Sequence, residues 1–380
     1  MKFRWMLMLV FLLPGIVWAQ SRYTIPLRKE NPSLSLPSMA ARDGVLYVAY
    51  RSFGLLRFSS QLQVVAYDLR SHKELKQVTI AVPEVHGARA AQGFFLSKDG
   101  KELAYSEAYS PTLLLLLATR DLSVIRRSNA LPFTPGDLGR QFFGFDSRNL
   151  LAFASVKSDK LRFIRISPTD LKPVSDLTMK GPEILEPYSI VWSPSEKLTW
   201  IDSASDKWQE YTEAGRATGQ ALRYRGGVSY GAIALGEGKL LAFYGNMVAM
   251  GTVATYNHHH TSELKIKCAP RPYGISNDPE YAGVICPTMT DLAEPAKNKI
   301  LTSSFLLLQT KEPAVVWRSR MSWLGVANGN GPNEGFQKGD PLIHRSGKSV
   351  WVIAPTKSPE LAVYQIAVAG DYGVPKATPR

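Results

Sequence analysis

The run His258-His259-His260, set in Tyr256-Asn257-His258-His259-His260-Thr261, is the most conspicuous cluster of potential ligands in the chain. Neutral imidazoles bind zinc, copper or nickel. Consecutive residues of an extended segment project to opposite sides, so three in a row do not easily converge on one ion. A metal centre there needs ligands from elsewhere, and the sequence pairs neither His86 nor His344 with the run. The spacing reads as an exposed polar hairpin loop, with no metal assigned. Nucleophilic catalysis leaves no Gly-x-Ser-x-Gly signature. Gly325 to Gly335 carries no phosphate-binding lysine and no strand-to-helix context. Glu183 and Glu186 could share acid–base work, but solvated loop carboxylates show the same spacing. Arg223-Tyr224-Arg225 and Trp317-Arg318-Ser319-Arg320 interleave cations with rings, as single-stranded nucleic-acid binders do. These residues name no cofactor and leave open whether any reaction is catalysed.

The elements that would position such residues follow a repeat. Gly93 to Arg127 holds a short apolar strand at Gly93 to Leu96, a Ser97-Lys98-Asp99-Gly100 turn, and strands at 102–107, 113–117 and 122–126. Asp-Gly between apolar runs is a strong hairpin signal, because glycine accepts the positive φ of a tight turn. Related units have turn centres near 43, 99, 147, 195, 237, 278 and 346, spaced 41 to 68 residues apart. Four antiparallel strands in about 40 residues match one blade of a β-propeller. The predicted fold is therefore all-β, a seven-bladed propeller over 37–369 with a tail at 370–380. A six-bladed propeller with an irregular insertion and a pair of β-sandwiches are the alternatives. The sixth copy is the irregular one, with Gly274-Ile275-Ser276 as its first strand, Ile300 to Gln309 as another, and a long Gly/Asn-rich loop from Arg318 to Asp340. The last copy supplies three strands. Tyr23 to Leu27, ahead of a linker ending at 36, is expected to supply the fourth and close the ring.

Residues 1–19 read as an export signal. Lys2 and Arg4 precede an apolar stretch from Trp5 to Val17, and Val17-Trp18-Ala19 suits cleavage after Ala19. The apolar run is shorter than the ~20 residues of a comfortable membrane span. A periplasmic or extracellular location is expected, with no membrane span after cleavage. Nucleic acid is then not an expected partner. The 45 basic and 32 acidic side chains give +13, or +11 once Lys2 and Arg4 are removed. Such a balance favours anionic partners. Cys268 and Cys286 are the only cysteines. An oxidising compartment favours their pairing in a disulfide, with two buried thiols as the alternative.

The segments FFLSKDGKELAY (94–105), IVWSPSEKLTWI (190–201) and PLIHRSGKSVWVI (341–353) resemble the degenerate repeats of exported propellers of the YVTN and quinoprotein-amine-dehydrogenase-like seven-bladed group. The resemblance is one of pattern and spans nearly the whole mature chain. Propellers of this shape include lactonases, cofactor-bearing dehydrogenase subunits, sugar-chain lyases and binding scaffolds, so the fold does not choose among them.

In a propeller, the loops leading into each innermost strand converge on one face around the axis. Those loops carry Arg89, Arg140, Tyr188, Tyr230, Arg271 and Tyr273. The opposite turns, such as Lys98-Asp99-Gly100 and Arg345-Ser346-Gly347, are made of ordinary turn residues. No turn requires arginine or tyrosine. Arginine pairs with carboxylate or phosphate, and tyrosine offers a stacking face with a polar tip. The sequence reading is thus a secreted binding or protein-interaction module, with those six residues as its surface for an anionic small molecule, a glycan or a protein. A lactonase-like metal-assisted hydrolase or a redox-enzyme subunit is the alternative.

Overall fold

The computed structural model describes residues 20–27, 37–53, 57–83, 85–86, 92–107, 113–128, 138–146, 148–157, 160–180, 188–192, 198–202, 207–211, 216–223, 228–236, 239–246, 250–257, 259–268, 270–272, 275–276, 278, 280–286, 298–301, 304–320, 323–326, 341–356 and 360–368. All regular elements among them are strands, arranged as seven sheets of four or five strands and one of two. No helix among the described residues is long and apolar enough to cross a membrane.

Each larger sheet is a meander running outward from an innermost strand. Sheet 1 comprises Ser38–Arg42, Val45–Phe53, Arg57–Asp68 and Lys73–Ala81. Sheet 2 comprises Gln92–Leu96, Glu102–Glu107, Leu113–Ala118 and Val124–Ser128. Sheet 3 has Leu138–Phe145, Leu151–Lys157, Lys160–Ile166 and Pro173–Lys180. Sheet 4 has Tyr188–Trp192, Leu198–Asp202, Lys207–Tyr211 and Ala217–Arg223. Sheet 5 has Val228–Gly236, Lys239–Asn246, Met250–Asn257 and His259–Ile266. Sheet 6 pairs Arg271–Pro272, Tyr281–Cys286, Ser304–Gln309 and Ala314–Arg320. Sheet 7 has Leu342–Ser346, Ser349–Pro355 and Glu360–Ala367, with Gln20–Pro26 as its outermost strand. The innermost strand of sheet 1 lies beside those of sheets 2 and 7, and that of sheet 5 beside those of sheets 4 and 6. The architecture is an all-β propeller.

Packing of sheet on sheet explains the apolar runs. In Leu113–Leu117 every side chain is buried: Leu113, Leu115 and Leu117 pack toward sheet 1, while Leu114 and Leu116 pack toward sheet 3. In the second strand of sheet 1, Leu46, Val48 and Tyr50 pack toward sheet 7, and Tyr47 and Ala49 toward sheet 2. A strand buried on both faces reads as a continuous apolar stretch rather than an alternating one. Each fully buried Leu, Val or Phe contributes about 1.5–3 kcal/mol, so the stability of the fold sits mainly between neighbouring sheets.

Turn chemistry fixes the strand ends opposite the leading loops. Asp43 (φ 52°) and Gly44 (φ 85°) make the two-residue turn of sheet 1, the geometry for which Asp-Gly is preferred. Between third and outermost strands, His72, Leu122 and Leu171 occupy equivalent left-handed positions in sheets 1, 2 and 3. Leu122 is also buried in the core between sheets 1 and 2, and Leu171 is partly buried against the core between sheets 2 and 3. That burial offsets an unfavourable backbone conformation.

The ring closes through the chain termini. Gln20–Pro26 pairs antiparallel with Glu360–Ala367, Gln20 opposite Ile366 and Pro26 opposite Glu360. Ile25 and Leu27 are buried in the core between sheets 7 and 1. Tyr23 donates its hydroxyl to the Leu69 carbonyl and stacks on His72.

The sixth repeat departs from expectation in two places. Arg271–Pro272, not Gly274-Ile275-Ser276, lies against the second strand, Arg271 opposite Ile285 and Pro272 opposite Val284. Ile275–Ser276 instead pairs in parallel with Leu342–Ile343 of sheet 7. The Cys268–Cys286 bond holds the chain at the end of the second strand, so pairing begins only three residues past Cys268. The expected strand 300–309 is also divided. Asn298–Leu301 pairs with Trp323–Val326, extending the outer hairpin of sheet 6 as a two-stranded arm. Part of the expected long loop is therefore strand, and 327–340 lies outside the described residues.

Candidate functional site

The meander gives each sheet the same direction, so all innermost strands start on one face, here called the top. Four sequence candidates sit at those starts. Arg140 is the third residue of Leu138–Phe145, Tyr188 the first of Tyr188–Trp192, Tyr230 the third of Val228–Gly236, and Arg271 the first of Arg271–Pro272. They occupy four consecutive sheets, 3 to 6. The sequence reading placed them in loops; the structure places them within the strands.

Two of the four lie at backbone irregularities. Ser229 pairs with Tyr244 and Gly231 with Phe243, leaving Tyr230 as an extra residue. Leu138 pairs with Val156 and Gln141 with Ala154, so the segment containing Arg140 carries one extra residue as well. A bulge re-aims the side chain it displaces and is over-represented next to functional sites. Arg89 and Tyr273 lie outside the described residues.

Two braces stand under this face. Arg51 continues the Tyr47–Ala49 side of its strand, and Glu107 continues the Leu103–Tyr105 side of the strand packed against it. Both side chains are fully buried, with Arg51 donating to both Glu107 carboxylate oxygens at 2.8 and 2.6 Å. Tyr105 donates its hydroxyl to Glu107 at 2.5 Å. Burial, reinforced by the Glu107 charge, pushes the Tyr105 phenol well above its ordinary range, so it remains a donor. Arg51 also donates to the Pro83 carbonyl at 2.6 Å, anchoring the chain that leads toward Arg89.

The second brace is covalent. Cys268 and Cys286 form a disulfide with Cα atoms 5.5 Å apart. It ties the connection out of sheet 5 to the top end of the second strand of sheet 6, beside Arg271. A Cβ on Gly251 would meet Pro270 Cδ at 1.9 Å and the Cys268 carbonyl oxygen at 2.5 Å. Glycine is required there because the braced segment crosses directly over the backbone.

The bottom face is explained by turn chemistry and by ties between sheets. Asp99 accepts from the Lys101 amide and the Ser97 hydroxyl, which hold its carboxyl below the usual range. Arg42 donates to the Lys98 carbonyl, Arg70 to the Ser346 hydroxyl and Arg345 to Glu280. His259 pairs with Asn257 and His260 with Tyr256, placing the histidine run at a bottom-face hairpin; His258 lies outside the described residues. Among the described residues, no group of three or more His, Cys, Asp or Glu side chains is placed to hold a metal.

The sequence reading missed both the Arg51–Glu107–Tyr105 network and the role of His344. A single arginine ending the run Val45 to Tyr50 was the available signal, but its partner lies 56 residues away. His344 is buried, and its Nε2 accepts the Gly44 amide.

No protein-family model and no curated protein sequence matches this chain. Solved structures do. Virginiamycin B lyase from Staphylococcus aureus is 11% identical with a TM-score of 0.53, covering 91% of this chain and 99% of that one. The Cps50 (Swd1) β-propeller domain of Myceliophteria thermophila is 11% identical with a TM-score of 0.51, covering 90% and 99%. BBS1N, in complex with ARL6DN, is 11% identical with a TM-score of 0.53, covering 92% and 97%. At this identity the likeness establishes the β-propeller fold, and the fold alone.

Proposed function

We propose that this chain is an exported, seven-bladed propeller of the YVTN/quinoprotein-like kind that binds a ligand on its top face. The observation carrying this reading is the placement of Arg140, Tyr188, Tyr230 and Arg271 at the same end of four consecutive innermost strands, two of them at bulges. Arginine and tyrosine recur where neither turn nor ladder requires them. With a mature charge of +11, they favour an anionic small molecule or an acidic glycan. The disulfide and the leader-like residues 1–19 fit export. One similar propeller was solved with a protein bound, so an acidic protein surface belongs to the same class of partner.

The test is direct binding. Purified mature chain, made without a histidine tag, is titrated with heparin, alginate and neutral dextran at two salt concentrations. Salt-sensitive binding of the anionic polymers alone supports the reading. Equal binding of dextran, or loss of no affinity when the top-face arginines are removed, contradicts it.

A further inference from the structure

We propose that His344 is an acid-sensitive latch at the ring's closing seam: its neutral imidazole holds sheet 7 to sheet 1, and protonation releases the two. His344 lies on the innermost strand of sheet 7, 2% exposed, stacked on Trp351. Its Nε2 accepts the backbone amide of Gly44, in the first turn of sheet 1, at 3.2 Å. Gly44 in turn accepts the Leu69 amide through its carbonyl. One imidazole nitrogen thus organises the turns of the first sheet against the last.

Protonation would place an N–H against the Gly44 N–H, two donors facing each other in a buried site. A buried donor without an acceptor is costly.

The charged groups around the ring come from three elements besides its own. Asp43, on the sheet 1 turn, and Asp278, ahead of the second strand of sheet 6, favour the imidazolium; Arg70, between third and outermost strands of sheet 1, opposes it. On its own strand, Arg345 is turned to Asp278 and Glu280. Burial outweighs these charges and lowers the His344 pKa to about 4. An unfolded histidine titrates near 6.5, so the seam has its full stability above about pH 6.5. It loses that contribution as the pH falls toward 4.

The seam is also where the ring is made by non-consecutive strands. Gln20–Pro26 must find Glu360–Ala367 across the whole chain, whereas sheets 2 to 5 are each built from one continuous stretch.

Hydrogen-exchange mass spectrometry of the mature chain between pH 7 and pH 4.5 tests the latch, each segment scaled by its intrinsic exchange rate at that pH. Protection over 20–27, 37–46 and 342–346 should fall on the order of ten- to a hundredfold more than over 102–118. In His344→Gln, whose side-chain carbonyl accepts the Gly44 amide at any pH, this difference should vanish. Uniform loss across all segments, or the same seam-selective loss in His344→Gln, overturns the proposal. Should the glutamine variant not fold, the wild-type comparison decides: seam-first loss between pH 6.5 and 4 supports the latch, and simultaneous loss refutes it.

Discussion

Arg51 and Glu107 form an ion pair across the boundary between sheets 1 and 2, Nη1 of Arg51 donating to both carboxylate oxygens, with both side chains fully buried. Removing one partner strands the other charge away from water. Glu107→Leu or Arg51→Met alone should therefore cost about 3–5 kcal/mol. The double variant should recover much of that loss, because a well-packed apolar pair replaces two desolvated ions. Each single change also leaves a second group without its partner: Arg51→Met the Pro83 carbonyl and Glu107→Leu the Tyr105 hydroxyl. Urea unfolding of the four proteins checks the cycle, and additive losses would contradict it.

Deleting residues 20–28 should lower stability by about 5 kcal/mol. The deletion removes the outermost strand of sheet 7 and two buried side chains, Ile25 and Leu27, at about 1.5–3 kcal/mol each, and bares an unpaired strand edge. Thermal melting and size-exclusion chromatography are the measurements; the expected result is a large fall in Tm with self-association. An unchanged Tm would make the segment dispensable.

Tyr23 couples the closing strand to alkaline pH. Burial, aided by the Asp68 charge, pushes its phenol up to about 12. Only the neutral form can donate to the Leu69 carbonyl. Because the folded value is raised, this contribution is complete below about pH 10 and is lost as pH rises toward 12. Tyr23→Phe should cost roughly 1 kcal/mol at neutral pH and flatten the stability curve between pH 10 and 12.

Gly251→Ala should disturb the covalent brace, since its Cβ would overlap Pro270 and the Cys268 carbonyl. Overpacking of this kind costs about 1–3 kcal/mol. Replacing both cysteines by serine should cost about 3 kcal/mol, for a loop closed over a separation of 18 residues. Tm under oxidising and reducing conditions separates the effects: Gly251→Ala destabilises in both, and the cysteine variant should lose its dependence on reductant.

Arg140→Ala and Arg271→Ala should each weaken binding of an anionic polymer about tenfold, as expected for a charge-assisted contact, without lowering Tm. A loss of affinity that tracks a loss of stability would make these residues structural.

Local chemistry was legible because each signal acts within a few residues. The Asp43-Gly44 turn and the strand-length apolar runs pointed to the all-β repeat, since positive φ is set within the turn itself and a continuous apolar run is the local mark of a strand covered on both faces. The pairing of Tyr23 to Leu27 with the last strands could be read because the seventh repeat lacked one strand, and the Cys268–Cys286 bond because only two cysteines exist. In the irregular sixth repeat, near neighbours no longer decided the partner. Arg271 then took the place of Gly274-Ile275-Ser276, and Trp323–Val326 became strand. The assembled tertiary structure alone decided the burial of Arg51 against Glu107, the acceptor role of His344, and the extra residue at Tyr230. The first two depend on which sheet packs opposite, with partners 56 and 300 residues away, whereas the extra residue at Tyr230 depends on the register with the neighbouring strand Lys239–Asn246.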